Sequence, residues 1–162
     1  MIAPWKLLLL AGGALVAGSA TAVDLHRLWD DRCVDCHGHA GEFARAFLVV
    51  IDGELYGRHP ERDLQRFLDN HYLAGHEARA VYDMLLAQAR TEGRFRSRCS
   101  ACHATAAAFA REALTFENGV LVGRATGRPV ADFLPRHMSL DAQEAAFFAE
   151  LLERVRREVE GR

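Results

Sequence analysis

Apolar residues near the end of the chain recur every three or four positions. This spacing places them on one side of a helix and predicts a long amphipathic helix at the C-terminus. The stripe consists of Phe148, Leu151, Leu152, Val155 and Val159. Asp141, followed three positions later by Glu144, resembles the capping box that begins a helix. A comparable helix is predicted over residues 76–90.

Two turn signals lie between short apolar segments. Asp52-Gly53 and Asn118-Gly119 each separate two such segments. These dipeptides favour a type I′ turn because both of its central positions need a positive φ. The pattern therefore predicts a small β-hairpin in each half of a mainly α-helical chain.

The two halves of the chain match each other. A shift of 66 residues aligns the sequence with itself without a gap, and about a third of the positions between Arg32 and Arg90 are identical. Such a match indicates two tandem copies of one domain, which we place at residues 23–90 and 91–162. The copies also provide a test, because a residue that both domains need should occur in both.

Each copy has the same predicted order of elements. A short helix over residues 24–32 comes first, and the hairpin follows. Pro60 and Pro129 suit the first turn of short helices that end near His71 and His137. A longer helix closes each copy. No Pro- or Ser-rich linker separates the copies, so we expect them to pack together.

The first 22 residues have the pattern of a secretory signal peptide. Lys6 precedes an uncharged apolar run from Leu7 to Val16, and Ala20-Thr21-Ala22 provides a small-x-small cleavage site. The sequence therefore predicts export to the periplasm. Association with a membrane is expected only if this segment is retained as an anchor.

Charge excludes one class of partner. The chain has 20 basic and 22 acidic residues, and Lys6 is its one lysine. The arginines are scattered among acidic residues, as on a solvated surface. A net-acidic exported protein without a basic cluster is not expected to bind nucleic acid.

Residues 33–37 (CVDCH) and 99–103 (CSACH) are two copies of C-x-x-C-H, the attachment sequence for c-type haem. Two covalently bound haem c groups are therefore predicted, and no cysteine remains for a disulfide. The predicted thioether residues are Cys33, Cys36, Cys99 and Cys102, and the predicted proximal iron ligands are His37 and His103.

The repeat test selects a distal ligand for each iron. His71 and His137 occur in both copies, 34 residues after the proximal histidine and within the same Phe-Leu-x-x-His sequence. We therefore expect both haems to have two histidine ligands. Met138 remains an alternative for the second haem and His76 for the first, and an open iron site is a further alternative.

Four arginines also occur in both copies. Arg45 aligns with Arg111, and Arg58 aligns with Arg124. Arginine suits paired recognition of a carboxylate, so a haem propionate is one candidate partner for each. A surface ion pair of little energetic value is the other interpretation.

With these motifs the chain resembles dihaem c-type cytochromes, in which two cytochrome c-like domains lie in tandem. The resemblance implies electron transfer between redox proteins in the periplasm and no enzymatic activity. It departs from many cytochrome c domains on the distal side, where a histidine takes the place of a methionine in a later loop. Two other functions stay open: a gas-binding or peroxidase-like haem protein with one open iron, and an electron-transfer subunit of a larger dehydrogenase.

Overall fold

The computed structural model describes residues 22–58, 63–91 and 93–162. The predicted signal peptide falls almost entirely outside these ranges, as does Pro60. The described residues are mainly helical, with 60% in helices and 13% in strands. Among the described residues, no helix has both the length and the apolar character needed to cross a membrane.

The first repeat contains five helices and one hairpin within the described residues. They are α1 (Leu25–Arg32), α2 (Val34–His37), α3 (Ala40–Phe47), β1 (Leu48–Ile51), β2 (Glu54–Gly57), α4 (Leu64–Asp69) and α5 (His76–Arg90). The second repeat has a similar order, but a turn takes the place of α2 and a 3₁₀-helix is added after α8. Its elements are α6 (Arg94–Cys99), α7 (Ala106–Ala113), β3 (Leu114–Glu117), β4 (Val120–Gly123), α8 (Val130–Phe133), a 3₁₀-helix (Leu134–Arg136) and α9 (Ala142–Glu160).

Both predicted hairpins are confirmed. In each, the antiparallel strands are joined by a two-residue turn. The φ angles are 49° at Asp52 and 87° at Gly53, and 49° at Asn118 and 81° at Gly119. Positive φ at both central positions is the type I′ geometry that these residue types favour. The hairpins begin 66 residues apart, so the backbone follows the sequence repeat.

The start of α9 follows the prediction in part. The Asp141 carboxylate accepts a 2.8 Å hydrogen bond from the Glu144 amide, as an N-cap should. The reciprocal bond of a capping box is replaced, because the Glu144 carboxylate instead accepts from Arg98 at 3.1 Å. Along the helix, four of the five predicted stripe residues are buried and the fifth packs against them. They are Phe148, Leu151, Leu152 and Val155, with Val159 partly buried.

Each repeat has its own hydrophobic core. The first forms where α3, α4 and α5 pack around the hairpin, and its most buried side chains include Leu55, Val81 and Met84. Tyr82 also serves this core, because its hydroxyl oxygen accepts a buried 2.8 Å hydrogen bond from the Leu55 amide. The second core is built on α7 and α9. Packing of apolar side chains within each repeat therefore holds the flanking segments in place.

Polar contacts join the two repeats where α1 lies against α9. The guanidinium of Arg111 binds the Asp24 carboxylate with two hydrogen bonds of 2.6 and 3.0 Å. Nearby, the His26 ring lies 2.9 Å from the Glu158 carboxylate, with both side chains largely buried. The packing of α1 on α9 thus buries His26, which has no histidine equivalent in the second repeat.

A groove of about 540 Å³ runs between the repeats. Trp29 and its repeat equivalent Phe95 both line it, as do the equivalent residues Arg45 and Arg111. The two copies thus face each other with related surfaces.

Candidate functional site

In each repeat, one backbone turn groups the residues of the C-x-x-C-H motif. In the first repeat, the amides of Cys36 and His37 donate to the carbonyl of Cys33 at 3.2 and 2.9 Å. The second motif has the same two bonds, from Cys102 and His103 to Cys99, at the same distances. Positions i, i+3 and i+4 of a helical turn share one face, so each turn presents two thiols and an imidazole together.

The histidines selected by the repeat test lie opposite the proximal histidines. Ring centroids are 5.9 Å apart for His37 and His71, and 6.4 Å apart for His103 and His137. Two imidazoles bound on opposite sides of one metal, through bonds of about 2 Å, have ring centroids roughly 6 Å apart. The spacing in both repeats therefore fits a pair of axial ligands.

Phenylalanines pack against all four of these histidines. Phe67 stacks on His71 at 4.4 Å, and Phe133 stacks on His137 at 4.7 Å. On the proximal side, Phe43 lies 4.8 Å from His37, and Phe109 lies 4.3 Å from His103. Each repeat thus has a row of four rings, Phe–His···His–Phe, in which packing orients both imidazoles. The rows are Phe43–His37–His71–Phe67 and Phe109–His103–His137–Phe133.

The local environment favours the metal-binding form of one imidazole. Burial lowers the pKa of His37, and the charge of nearby His71 lowers it further. Neutral imidazole is the form that binds metals. Burial also raises the pKa of the Cys33 and Cys99 thiols, whereas Cys36 and Cys102 are exposed. None of the four cysteines forms a disulfide.

Trp29 is a site residue that sequence reasoning missed. Its side chain is 3% exposed, its ring lies 6.1 Å from His37, and its Nε1 donates a 2.8 Å hydrogen bond to the Gly38 carbonyl. The bond holds the chain immediately after the proximal histidine. The second repeat has no indole for this contact, because Phe95 takes the place of Trp29. The one sequence signal was the unequal pair of aromatic residues at this position.

The backbone conformation after the proximal histidine also differs between the repeats. Gly38 has φ 66° and ψ −164°, a region that is nearly restricted to glycine. Its amide donates to Val34 at 2.8 Å and ends α2. Ala104 and Ser100, both within the described ranges, form no corresponding bond. The first proximal segment is therefore held by two hydrogen bonds that the second lacks.

The alternative distal ligands lie elsewhere. His76 is exposed at the first position of α5, whereas the histidine ring facing His37 is that of His71. Met138 directly follows His137 and is 58% exposed. It has a φ of 71°, and its repeat equivalent Tyr72 has a φ of 62°. A left-handed residue thus follows each distal histidine.

The repeated arginines make contacts within the chain. Nη2 of Arg58 donates to the Arg45 carbonyl at 2.9 Å, near the end of α3. Nη2 of Arg124 donates to the carbonyls of Arg111 and Leu114, at 3.3 and 2.9 Å, near the end of α7. A cation suits the negative end of a helix. These two arginines therefore join each hairpin to the helix before it.

The other repeated pair lies at the groove between the copies. The carboxylate that Arg111 binds in the structure is that of Asp24, which makes it an inter-repeat contact. Arg45 lines the same groove beside Gly93. Contacts between these arginines and haem propionates stay a prediction.

The short helix before the distal histidine starts later than expected in the second repeat. Pro129 was predicted within its first turn, but it lies one position before α8 and pairs with Val122 as an isolated bridge. This pairing ties the helix start to β4. Val130 then enters the core as the first residue of α8.

Among the described residues, no group of three or more His, Cys, Asp or Glu side chains could hold a bare metal ion. A haem iron needs fewer protein ligands than a bare metal ion, because the porphyrin supplies four iron ligands and the chain supplies the axial ones. Comparisons of the chain with protein-family models, curated proteins and solved structures found no match.

Proposed function

We propose that the protein is an exported dihaem c-type cytochrome that carries electrons between redox proteins in the periplasm. The observation that carries this proposal is the opposed histidine pair, which occurs twice at a spacing suited to axial ligation. Two C-x-x-C-H motifs, each adjoining one of these pairs, support it. Export rests on the predicted signal peptide.

Each part of the site has a role in this function. The four cysteines hold two haem groups by thioether bonds, and bound haem supplies one-electron chemistry at iron. Two histidines for each iron leave no coordination position for a substrate, which favours electron transfer over catalysis. The phenylalanines that pack against the histidines fix both imidazole rings, so the ligands rearrange little when the charge of the iron changes.

Optical and electron paramagnetic resonance (EPR) spectra of the purified holoprotein test the proposal. We expect two haems per chain, low-spin in both oxidation states, with no methionine–iron charge-transfer band. His71→Ala and His137→Ala should each convert one haem to high spin. His39→Ala and His76→Ala serve as matched controls, because these histidines have no repeat equivalent.

Two results would contradict the proposal. One is a haem content below two per chain, and the other is a high-spin signal in the unmodified protein. Unchanged spectra in His71→Ala or His137→Ala would refute the ligand assignment.

A further inference from the structure

The chain segments that contain the two distal histidines differ in helical regularity, backbone strain and burial. We define the distal segments as residues 67–73 in the first repeat and 133–139 in the second. In the first, α4 continues through Asp69, close to His71. His71 is half-buried, and Leu73 is 7% exposed within the first core. Core packing therefore anchors this segment just after its histidine.

The second distal segment is less regular. α8 ends after four residues, and a 3₁₀-helix containing Pro135 follows. Proline provides no amide donor, and 3₁₀ hydrogen bonds have poorer geometry than α-helical ones. The equivalent position in the first repeat is Asp69, still within α4. The α-helix is thus interrupted before His137, whose own amide donates to the carbonyls of Phe133 and Leu134 at 3.2 and 3.0 Å.

Backbone strain adds to this difference. Met138 and Ser139 have φ angles of 71° and 51°, whereas Tyr72 is the one left-handed residue described in the first distal segment. L-residues with a side chain adopt this conformation at an energetic cost. Two such residues in succession give the second segment more backbone strain than the first, so a rearrangement of the second segment relieves more strain.

The second segment also lacks a counterpart of Leu73, the buried residue that follows the histidine in the first segment. Ser139, which is exposed, occupies the position of the buried Leu73. His137 is exposed, and Phe133, which stacks on it, is 41% exposed. Their counterparts His71 and Phe67 are half-buried. Although Leu140 packs against the second core, less apolar packing surrounds His137 than surrounds His71.

We propose that His137 is an exchangeable ligand, which a neutral diatomic molecule such as carbon monoxide displaces from the second haem while His71 stays bound. The inference rests on the proposed function. In the exchange, the ferrous iron–nitrogen bond breaks and an iron–carbon bond forms. Iron remains ferrous, and the imidazole leaves as a neutral base. Displacement of His137 would thus open a coordination position for a small ligand at the second haem, which the bound histidine otherwise fills.

Stopped-flow mixing of the reduced full-length holoprotein with carbon monoxide tests this inference. We expect one haem per chain to bind carbon monoxide at least tenfold faster than the other. His71→Ala should add a separate rapid phase and leave the first in place, whereas His137→Ala should accelerate the first. Equal rates at both haems, or a fast phase that belongs to the first haem, would overturn the inference.

A pair of substitutions at one position separates backbone strain from side-chain chemistry. Ser139→Gly relieves the left-handed strain, whereas Ser139→Ala removes the same hydroxyl and retains the Cβ atom. We expect slower carbon monoxide binding in Ser139→Gly alone. Leu73→Ser removes the anchor of the first segment and should accelerate its haem. The strain argument fails if Ser139→Gly and Ser139→Ala behave alike.

Hydrogen–deuterium exchange of the oxidised holoprotein gives a readout that needs no added ligand. Amides 137–140 should exchange at least tenfold faster than amides 71–74. Two low-spin haems that resist carbon monoxide equally, with equal exchange of both segments, would overturn this inference alone. A high-spin haem in the unmodified protein would instead contradict the proposed function.

Discussion

The indole of Trp29 binds the carbonyl of Gly38, one residue beyond the proximal histidine, through a 2.8 Å hydrogen bond. The contact joins α1 to the end of the first C-x-x-C-H motif. Phe95 replaces the tryptophan in the second repeat. Substitutions at the two equivalent positions can therefore measure what this bond contributes to stability.

We expect Trp29→Phe to destabilise the protein by about 1–3 kcal/mol, because the Gly38 carbonyl loses its donor and the smaller ring leaves space in the core. Urea denaturation of the holoprotein measures the change. Phe95→Trp is the reciprocal control and should bring no gain, since Ala104 does not share the positive φ of Gly38. An unchanged unfolding midpoint in Trp29→Phe would show that the bond contributes nothing.

Gly38→Ala should cost about 1–3 kcal/mol, because alanine strongly disfavours φ 66° with ψ −164°. Steric clash is not the cause, since no atom lies within 4 Å of a Cβ placed there. Thermal unfolding followed by circular dichroism measures the loss. The matched control is Ala104→Gly at the equivalent position, where we expect a change below about 1 kcal/mol. Equal effects at both positions would refute the backbone argument.

Asp24→Asn should weaken the contact between the repeats. Burial acts to raise the pKa of Asp24, but hydrogen bonds from Arg111 and from the Arg27 amide outweigh it and lower the pKa below 3.8. The contribution of this carboxylate to stability is therefore fully present above pH 3.8 and is lost as the pH falls through the lowered value.

At pH 7 we expect Asp24→Asn to cost about 1 kcal/mol, since asparagine keeps the helix cap and loses the charge. Urea denaturation at pH 7 and at pH 2.5 should show the difference shrinking in acid. Asp141→Asn is the control, because Asp141 caps α9 and has no ion pair among the described residues. A difference independent of pH would contradict the assigned role of the charge.

Arg124→Met should lower stability by about 1 kcal/mol, because two carbonyls near the end of α7 lose a charged donor. Arg58→Met removes one such bond and should cost less. Arg27→Met, on the exposed side of α1, is the control. Redox titration distinguishes the two interpretations: a shifted haem potential without loss of stability would favour a propionate contact over the structural role.

Local features were predictable from sequence, because they depend on neighbouring residues. Asp52-Gly53 and Asn118-Gly119 determine their turns through backbone sterics alone, and Asp141 caps α9 through an amide three residues away. The repeat test likewise selected His71 and His137, whose rings lie 5.9 and 6.4 Å from those of His37 and His103; their role as iron ligands stays a prediction.

Contacts between distant residues were not predictable. Asp24 and Arg111 are 87 positions apart, and nothing near either one indicates the other. The burial of His26 depends on how α1 lies against α9, which the pattern of either helix leaves open. The hydrogen bond of Trp29 was not predictable either, because it depends on the unusual backbone of Gly38.

The opposed histidine pairs have a consequence for the unfolded chain. Coordination of one iron by His37 and His71, and of another by His103 and His137, would close two loops of 34 residues each. In the chain-entropy description, a closure of this length removes roughly 4 kcal/mol of unfolded-state freedom per loop. The same imidazoles that hold the iron would then act as reversible cross-links, so that release of a distal histidine frees both a coordination position and a length of chain equal to about half a domain.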